Sequence, residues 1–242
     1  MRCKNCNEEG SGNFCTNCGQ RLEINPITLR AILDELIAAI NLERGLLHTF
    51  QDLSTRPGKM IREYIAGKRI VYMSPLRYLF FMVAIGALAG LFYKVDPIVE
   101  VGADEIQNAA TYKEIERVIK EYYSLLSFVS VPFFALFSWM FFKKNNRSFA
   151  QHLVLNAYVS AHANLFFLVT LPLLVMDNKM LYGIGNFIFL SVTVAYSIWA
   201  YMQFFTPKTK WLALIKSFIV YMLSSFIIQF IMGIIVGFTD NQ

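Results

Sequence analysis

Four cysteines near the N-terminus are the residues whose types and spacing most clearly predict chemistry. They form two CxxC pairs separated by eight residues, namely Cys3, Cys6, Cys15 and Cys18. Four thiolates would complete a closed tetrahedral site for Zn²⁺ and leave no position for water, so we expect a structural zinc that folds a small ribbon over residues 1–22. Asn7 follows the first pair and tolerates the left-handed backbone that such a turn uses. Redox dithiols or free cysteines are the alternatives for this pattern.

A second set of polar residues lies within a strongly apolar part of the chain. His152, Asn156, Ser160 and Asn164 are spaced by four, so a helix would place them on one face. Such a face could line a polar cavity or bind a lipid headgroup. Alternatively, its side chains form hydrogen bonds that hold neighbouring membrane helices together. A looser stripe of the same kind contains Tyr221, Ser225 and Gln229.

Basic residues are concentrated just before the first apolar segment, where Glu63 is the only acid between residues 53 and 77. Candidates for contact with anionic lipid headgroups are Arg56, Lys59, Arg62, Lys68 and Arg69. Guanidinium groups fit phosphate oxygens with two parallel hydrogen bonds, which favours this interpretation. The alternative is that these charges only keep their segment on the cytosolic side of a membrane. Because the cluster would lie against that membrane, no nucleic-acid partner is expected.

The elements that must position these residues are predicted to be membrane-spanning helices. Apolar residues make up 56% of the 242 residues and charged residues 16%, against roughly 45–50% and 25% in soluble domains. A helix needs about 20 mostly apolar residues to cross the hydrocarbon core. Five segments qualify, at about 76–93, 124–142, 152–176, 181–205 and 211–238. The predicted fold class is therefore an all-α membrane protein with five transmembrane helices.

The distribution of positive charge predicts the orientation of these spans. Seventeen of the 22 Lys and Arg residues fall on the side of the N-terminus and five on the other side. Positively charged loops stay in the cytosol, so the N-terminus is expected inside and the C-terminus outside. No Asp or Glu lies within the predicted spans, which argues against a carrier that moves protons through intramembrane carboxylates.

Residues 23–73 connect the predicted ribbon to the transmembrane bundle of residues 74–242. Apolar residues at helical spacing between Ile27 and Ile40, and again beyond Leu42, predict short amphipathic helices. These helices could lie in the cytosolic interface of the membrane. Alternatively, they pack on one another and on the inner end of the bundle.

The N-terminal third of the chain resembles an uncharacterised family of bacterial membrane proteins, a domain of unknown function with an N-terminal zinc ribbon. The resemblance covers roughly residues 3–80 and is carried by the CxxC…FCxxCGQ pattern, by Arg56-Pro57-Gly58, by the YIxGKR segment that begins at Tyr64, and by Tyr72 and Pro75. It implies a multi-pass protein of the bacterial cytoplasmic (inner) membrane. It implies no activity and no catalytic residues.

The sequence leaves two classes of function open. No nucleophile–base pair, phosphate-binding glycine loop or open metal site occurs in the sequence, so we do not expect an enzyme. The first hypothesis is an interaction or regulatory protein whose ribbon docks a cytosolic protein partner. The second is a small transporter, channel or lipid-handling protein that uses the polar stripe. Membrane lipids are expected partners, and the small-residue motifs Gly86-x₃-Gly90 and Gly233-x₃-Gly237 would permit a homo-oligomer.

Overall fold

The computed structural model describes residues 2–3, 5–9, 12–18, 22, 45–93, 109–176 and 178–239. Over these residues the protein is all-helical, with seven α-helices, no strand, and an isolated bridge between Arg2 and Glu9. The chain divides into two compact units, residues 1–43 and residues 44–242. The predicted helix between Ile27 and Ile40 lies outside the described residues.

All seven α-helices belong to the larger unit. They are α1 (Leu47–Thr55), α2 (Pro57–Ile65), α3 (Pro75–Tyr93), α4 (Ala109–Phe141), α5 (Phe149–Leu174), α6 (Lys179–Phe205) and α7 (Lys210–Thr239). A short 3₁₀ helix, Lys143–Asn145, connects α4 to α5.

Three of these helices are long and apolar enough to cross a membrane, as expected of a membrane protein. Their apolar parts are Phe149–Leu174, Met180–Phe205 and Lys210–Ile231. Helices α3 and α4 contain shorter apolar parts, Pro75–Gly90 and Leu125–Phe141. The structure thus supports three spans by length and composition, where the sequence predicts five.

Local sequence sets the ends of the long helices. Ser148 starts α5 with a capping box, because its hydroxyl accepts a hydrogen bond from the Gln151 backbone and the Gln151 side chain accepts one from the Ser148 backbone. Asn178 starts α6, since its side-chain oxygen accepts from the backbone amides of Met180 and Leu181. At the other end of α6, Thr206 adopts a left-handed conformation, which ends the helix before Pro207.

The two short helices are part of the bundle's core. Helix α2 packs mainly on α6, and α3 packs along α5. Leu53 of α1 and Met60 and Ile61 of α2 are fully buried, in the same apolar cluster as Tyr158 of α5 and Phe204 of α6. These helices therefore pack on the end of the bundle, which was the second of the two arrangements considered for them.

Gly58 explains how closely α2 approaches α6. A Cβ atom at this position would lie 2.3 Å from the Phe204 backbone nitrogen and 2.4 Å from Gln203 Cβ. Both atoms belong to the last turn of α6, which cannot move without disturbing the helix. Pro57 is at the first position of α2, where its missing N–H is no loss. The Arg-Pro-Gly motif thus starts α2 and permits its close contact with α6.

Candidate functional site

The four cysteines form a compact cluster in the smaller unit. Their Sγ atoms all lie within 4.8 Å of one another. The Cys3–Cys18 and Cys6–Cys15 sulfur pairs are each 3.6 Å apart. Tetrahedral zinc with Zn–S bonds of about 2.3 Å places its sulfurs roughly 3.8 Å apart, so this donor set fits such an ion.

The first turn of this cluster shows why its residues come together. The Cys3 amide donates to the Glu8 carbonyl and the Asn7 amide donates to the Cys3 carbonyl, each at 2.9 Å. Asn7 has φ of 60°, the left-handed conformation that Asn accepts more easily than most residues. Cys3 and Cys15 are buried and Cys18 is exposed. The cluster can therefore hold one metal ion, with one ligand at the surface.

A partly open cavity of about 310 Å³ lies between helices α4, α5, α6 and α7, and its surface is mostly apolar with uncharged polar side chains among the lining residues. Its polar lining comes in stripes. They are Ser127 and Ser130 on α4; Asn156, Ser160 and Asn164 on α5; Thr193, Ser197 and Tyr201 on α6; and Ser217, Tyr221, Ser225 and Gln229 on α7. On α5, α6 and α7 the spacing is four residues, which keeps each stripe on one helix face. None of these side chains is charged.

The sequence predicted the polar stripe on α5 and most of the one on α7, but the polar stripe on α6 was not predicted. Thr193, Ser197 and Tyr201 have the same spacing as the residues on α5, so a systematic search for polar residues four apart would have found them. Three of the four predicted stripe residues line the cavity. The fourth, His152, does not.

The hydrogen bonds of the lining serines determine what the cavity wall presents. Ser130, Ser197 and Ser217 each donate to a backbone carbonyl of their own helix at 2.8 Å. A hydroxyl has one donor and two acceptor positions, so these oxygens remain acceptors. Thr193 differs, because its buried hydroxyl has no hydrogen-bond partner among the described residues.

A network of buried polar side chains extends from the cavity wall to His152. Tyr201 donates to the side-chain oxygen of Asn156. The amide nitrogen of Asn156 donates to Ser138 Oγ at 3.0 Å and to the His152 carbonyl at 2.8 Å. Ser138 Oγ lies 2.8 Å from His152 Nδ1. This network joins α4, α5 and α6, so His152 acts in helix contacts while Asn156 both joins that network and lines the cavity.

His162, which lies off the predicted stripe, connects the short helix α1 to the bundle. Its Nδ1 is 2.9 Å from the Tyr78 hydroxyl and its Nε2 is 3.2 Å from Ser54 Oγ. The ring stacks on Tyr196 with centroids 5.0 Å apart, and the Tyr196 hydroxyl donates to the Leu53 carbonyl at 3.1 Å. Both ring nitrogens are thus occupied, and the residue has a structural role.

Two of the five basic residues proposed for lipid headgroups are in ion pairs. Arg56 pairs with Asp52 at 2.6 Å and with Glu63 at 3.1 Å, and Lys68 pairs with Glu63 at 3.0 Å. The Tyr72 hydroxyl donates to both carboxylates, at 2.7 Å to Asp52 and 3.0 Å to Glu63. We call the set formed by Asp52, Arg56, Glu63, Lys68 and Tyr72 the carboxylate cluster.

The remaining three basic residues are placed differently. Arg62 donates to the carbonyls of Gln203 and Phe204, so it caps the C-terminal end of α6, where a cation also favours the helix dipole. The Arg69 guanidinium lies 5.7 Å from the centre of the Tyr64 ring. Lys59 is exposed. Lys59 and Arg69 are the members of this set that remain best placed for a lipid phosphate.

The charges of the carboxylate cluster shift its pKa values in opposite directions. Partial burial raises the pKa of Asp52, but hydrogen bonds from Arg56 and Tyr72 outweigh it and leave the pKa below its ordinary value. The hydrogen bond from Lys68 lowers the pKa of Glu63 against a smaller effect of burial. Burial, followed by the two carboxylate acceptors, raises the pKa of Tyr72. The cluster therefore contains two carboxylates and a neutral phenol.

Comparison with known proteins places only part of the chain. A family described as a protein of unknown function (DUF3667) matches residues 43–86. The match covers α1, α2 and most of α3, and it does not include the four cysteines. No curated protein and no solved structure matches the chain. The chain is therefore similar to an uncharacterised family in the segment that holds the carboxylate cluster and Gly58.

Proposed function

We propose that this is a five-span protein of the bacterial cytoplasmic membrane that binds a small uncharged solute in its cavity and moves it across. The observation that carries the proposal is the cavity between α4, α5, α6 and α7, whose lining includes uncharged polar side chains from all four helices. Such a cavity is at the small end of the range for ligand sites, roughly 300–1,000 Å³. This function corresponds to the second of the two hypotheses drawn from the sequence.

The lining chemistry favours a solute site over helix contacts alone. Polar groups that face one another in a membrane bundle usually pair across the helices. Here Ser130, Ser197 and Ser217 bond to their own helices instead. Their oxygens surround an open volume that water or a solute must fill, since polar groups without a partner are costly in a bundle.

The five-span topology is supported by the lengths of α3 and α4. Helix α3 has 19 residues, which corresponds to about 28 Å, and the hydrocarbon core is about 30 Å thick. The apolar part of α4, Leu125–Phe141, is about 25 Å long by the same rise per residue. Both helices pack against long spans, α3 on α5 and α4 on α7. The charge bias of the loops favours a cytosolic N-terminus.

We infer that the cysteine cluster holds Zn²⁺ in a structural role. Four thiolate ligands suit zinc and leave no open coordination position. A bound ion would stabilise a segment that contains few buried apolar residues of its own, since Cys3, Cys15 and Leu22 are its buried set among the described residues.

Flux of uncharged solutes through the purified protein tests the proposed function. The protein is reconstituted into liposomes, and the swelling caused by urea or glycerol entry is followed by light scattering. We expect Ala163→Trp to abolish protein-dependent swelling, because Ala163 lines the cavity and an indole there would fill it. The matched control is Leu190→Trp, at an exposed position of α6 outside the lining. Equal flux in Ala163→Trp and wild type would contradict the proposal.

A second candidate function is docking of a cytosolic protein by the cysteine unit. Phe14 favours it, because this aromatic residue is 58% exposed next to the buried ligand Cys15. A photo-cross-linking residue at Asn13 would report such a partner in cells. Phe14→Ser should then remove the cross-linked product while leaving the zinc content unchanged. Loss of the zinc together with the product would show only that the unit had unfolded.

A further inference from the structure

We propose that the solute is a polyhydroxylated molecule about the size of a pentitol or hexitol, and that Thr193 is its specificity-determining residue. This inference rests on the proposed function, because it names the ligand of the same cavity. It is carried by three features of the lining: the absence of charge, the acceptor oxygens of three serines and the hydroxyl of Thr193.

The absence of charge selects against ionic ligands. Twelve polar side chains line the cavity, and all of them are hydroxyls or amides. A charged ligand inside a membrane bundle needs an opposite charge or a metal to offset its desolvation. The lining residues that the structure describes offer neither, so the ligand must be neutral.

The acceptor oxygens select for ligands with several hydrogen-bond donors. Ser130, Ser197 and Ser217 use their hydroxyl hydrogens within their own helices. What each presents to the cavity is an oxygen with lone pairs. These three residues lie on α4, α6 and α7, so the acceptors approach the ligand from three sides. A molecule with O–H groups along its length satisfies such a wall, whereas an ether, a ketone or a gas molecule does not.

Thr193 supplies a buried hydroxyl of the lining that has no hydrogen-bond partner among the described residues. Its side chain is buried, with 6% of the residue exposed, and its Oγ1 has no partner among the described residues. Elsewhere in the bundle a buried threonine bonds to its own helix, as Thr170 does to the Phe166 carbonyl at 2.9 Å. Thr193 Oγ1 can both donate to a ligand hydroxyl and accept from one, which makes it the residue that recognises the O–H group itself.

The remaining walls and the volume fit the carbon skeleton of a polyol. Phe134, Phe189 and Ile228 form apolar parts of the lining, against which the C–H groups of the ligand would pack. The volume of about 310 Å³ is large enough to admit a pentitol or hexitol. The headgroup of an uncharged glycolipid also carries several hydroxyl groups on a carbon skeleton, so it could occupy the same cavity.

Calorimetric titration with mannitol tests this inference. The full-length protein is placed in phosphatidylcholine nanodiscs, so that no detergent with a sugar headgroup competes. We expect saturable binding of mannitol, and Thr193→Val should weaken it by about tenfold or more, since the valine removes the hydroxyl and keeps the shape. Thr170→Val is the matched control because Thr170 is as buried as Thr193, with 5% of the residue exposed, but its hydroxyl bonds to its own helix outside the cavity. It should bind mannitol as the wild type does.

Several results would overturn the inference. They are absence of mannitol binding, equal binding by Thr193→Val and wild type, and preferential binding of the cation choline.

Urea flux that Ala163→Trp abolishes, without mannitol binding, would leave the proposed function intact and contradict the identification of the ligand as a polyol. Mannitol binding that depends on Thr193, without any flux, would keep the ligand and remove translocation. If octyl glucoside displaces mannitol and binds more tightly, the polyol belongs to a lipid headgroup; if it does not, the polyol is a free solute.

Discussion

At the scale of single residues, Tyr72 holds together two carboxylates that would otherwise repel. Its hydroxyl donates to Asp52 and to Glu63, while Arg56 pairs with both. Tyr72 itself is 3% exposed, in the core cluster that includes Leu53. The carboxylate cluster therefore fixes the loop after α2 to the helices α1 and α2, and one phenolic hydroxyl is central to it.

Removal of this hydroxyl should loosen the end of the bundle. Tyr72→Phe would leave each carboxylate without one hydrogen bond, so we expect a loss of about 1–3 kcal/mol in the free energy of unfolding. Thermal unfolding of the protein in nanodiscs measures it. Tyr64→Phe is the control, because the described residues include no recorded hydrogen-bond partner for the Tyr64 hydroxyl. If the two variants are equally stable, the hydrogen bonds of Tyr72 contribute nothing.

The same cluster makes stability depend on pH. The pKa values of Asp52 and Glu63 lie below their ordinary values of 3.8 and 4.5 in the folded protein. As the pH falls through these ordinary values, the unfolded chain takes up protons first, so stability present above them is lost on acidification. The midpoint temperature of thermal unfolding should therefore decrease as the pH is lowered from about 5 to about 3. Asp52→Asn combined with Glu63→Gln should flatten this part of the profile; an unchanged slope would contradict the assignment.

At the scale of elements, the contact of α2 with α6 depends on Gly58. Gly58→Ala would place a methyl group within 2.5 Å of backbone atoms of α6, and we expect a loss of about 1–3 kcal/mol or more in stability. Gly183→Ala is a matched control on α6, because nothing lies within 4 Å of its Cβ position. There, alanine should stabilise the helix by about 0.5–1 kcal/mol. Thermal unfolding of both variants checks the prediction, and equal stability of the two would disprove close contact.

What could be predicted from the sequence at this scale was the face of a helix but not its neighbours. The spacing of Asn156, Ser160 and Asn164 indicated one face of α5. His152 shares that spacing, yet its ring lies beside Ser138 of α4 and outside the cavity lining. Periodicity defines which residues lie together on a helix. Which of them meet a cavity depends on how other helices pack, and a single sequence does not contain that information in local form.

The basic residues illustrate the same difference. The distribution of basic residues between the two sides predicted the orientation of the chain. Lys59 and Arg69 remain candidates for lipid contact. The ion pairs of Arg56 are local in sequence, with Asp52 four residues before it and Glu63 seven residues after it. The cap that Arg62 forms on α6, by contrast, joins positions far apart in sequence. Such a long-range contact follows from the tertiary fold, so composition and charge counts could not reveal it.

At the scale of the whole molecule, removal of the metal should affect one compact unit and spare the other. Residues 1–43 and 44–242 are separate units, and metal binding supplies folding free energy only where its ligands lie. We expect one zinc per chain by elemental analysis. A chelator should make the segment from Arg2 to Leu22 sensitive to protease and leave the thermal unfolding of the bundle unchanged.

Two variants control this experiment. Cys15→Ser removes a buried ligand and should reproduce the effect of the chelator. Thr16→Ser changes the neighbouring residue within the same CxxC pair and should retain the zinc. Full zinc content in Cys15→Ser would contradict a site made of four thiolates, and a bundle that unfolds with the metal would contradict the independence of the units.

The number of spans can be tested, although the positions of the two termini do not distinguish five spans from three. Five spans and three spans both place the N-terminus and the C-terminus on opposite sides. They differ for residues 94–108, between α3 and α4: five spans place this segment outside, whereas three spans leave it in the cytosol. A cysteine introduced as Asp104→Cys and exposed to a membrane-impermeant maleimide in intact cells distinguishes the two.

We expect Asp104→Cys to be labelled from outside, because α3 and the apolar part of α4 are each close to the thickness of the hydrocarbon core. Met176→Cys, between α5 and α6, is the positive control, since it lies outside in either topology. Asn145→Cys, between α4 and α5, is the negative control, since it is cytosolic in either. If Asp104→Cys reacts only after the cells are opened, α3 and α4 do not cross. Helix α4 would then be unable to form one wall of a transmembrane cavity, and the path proposed for the solute would have to be abandoned.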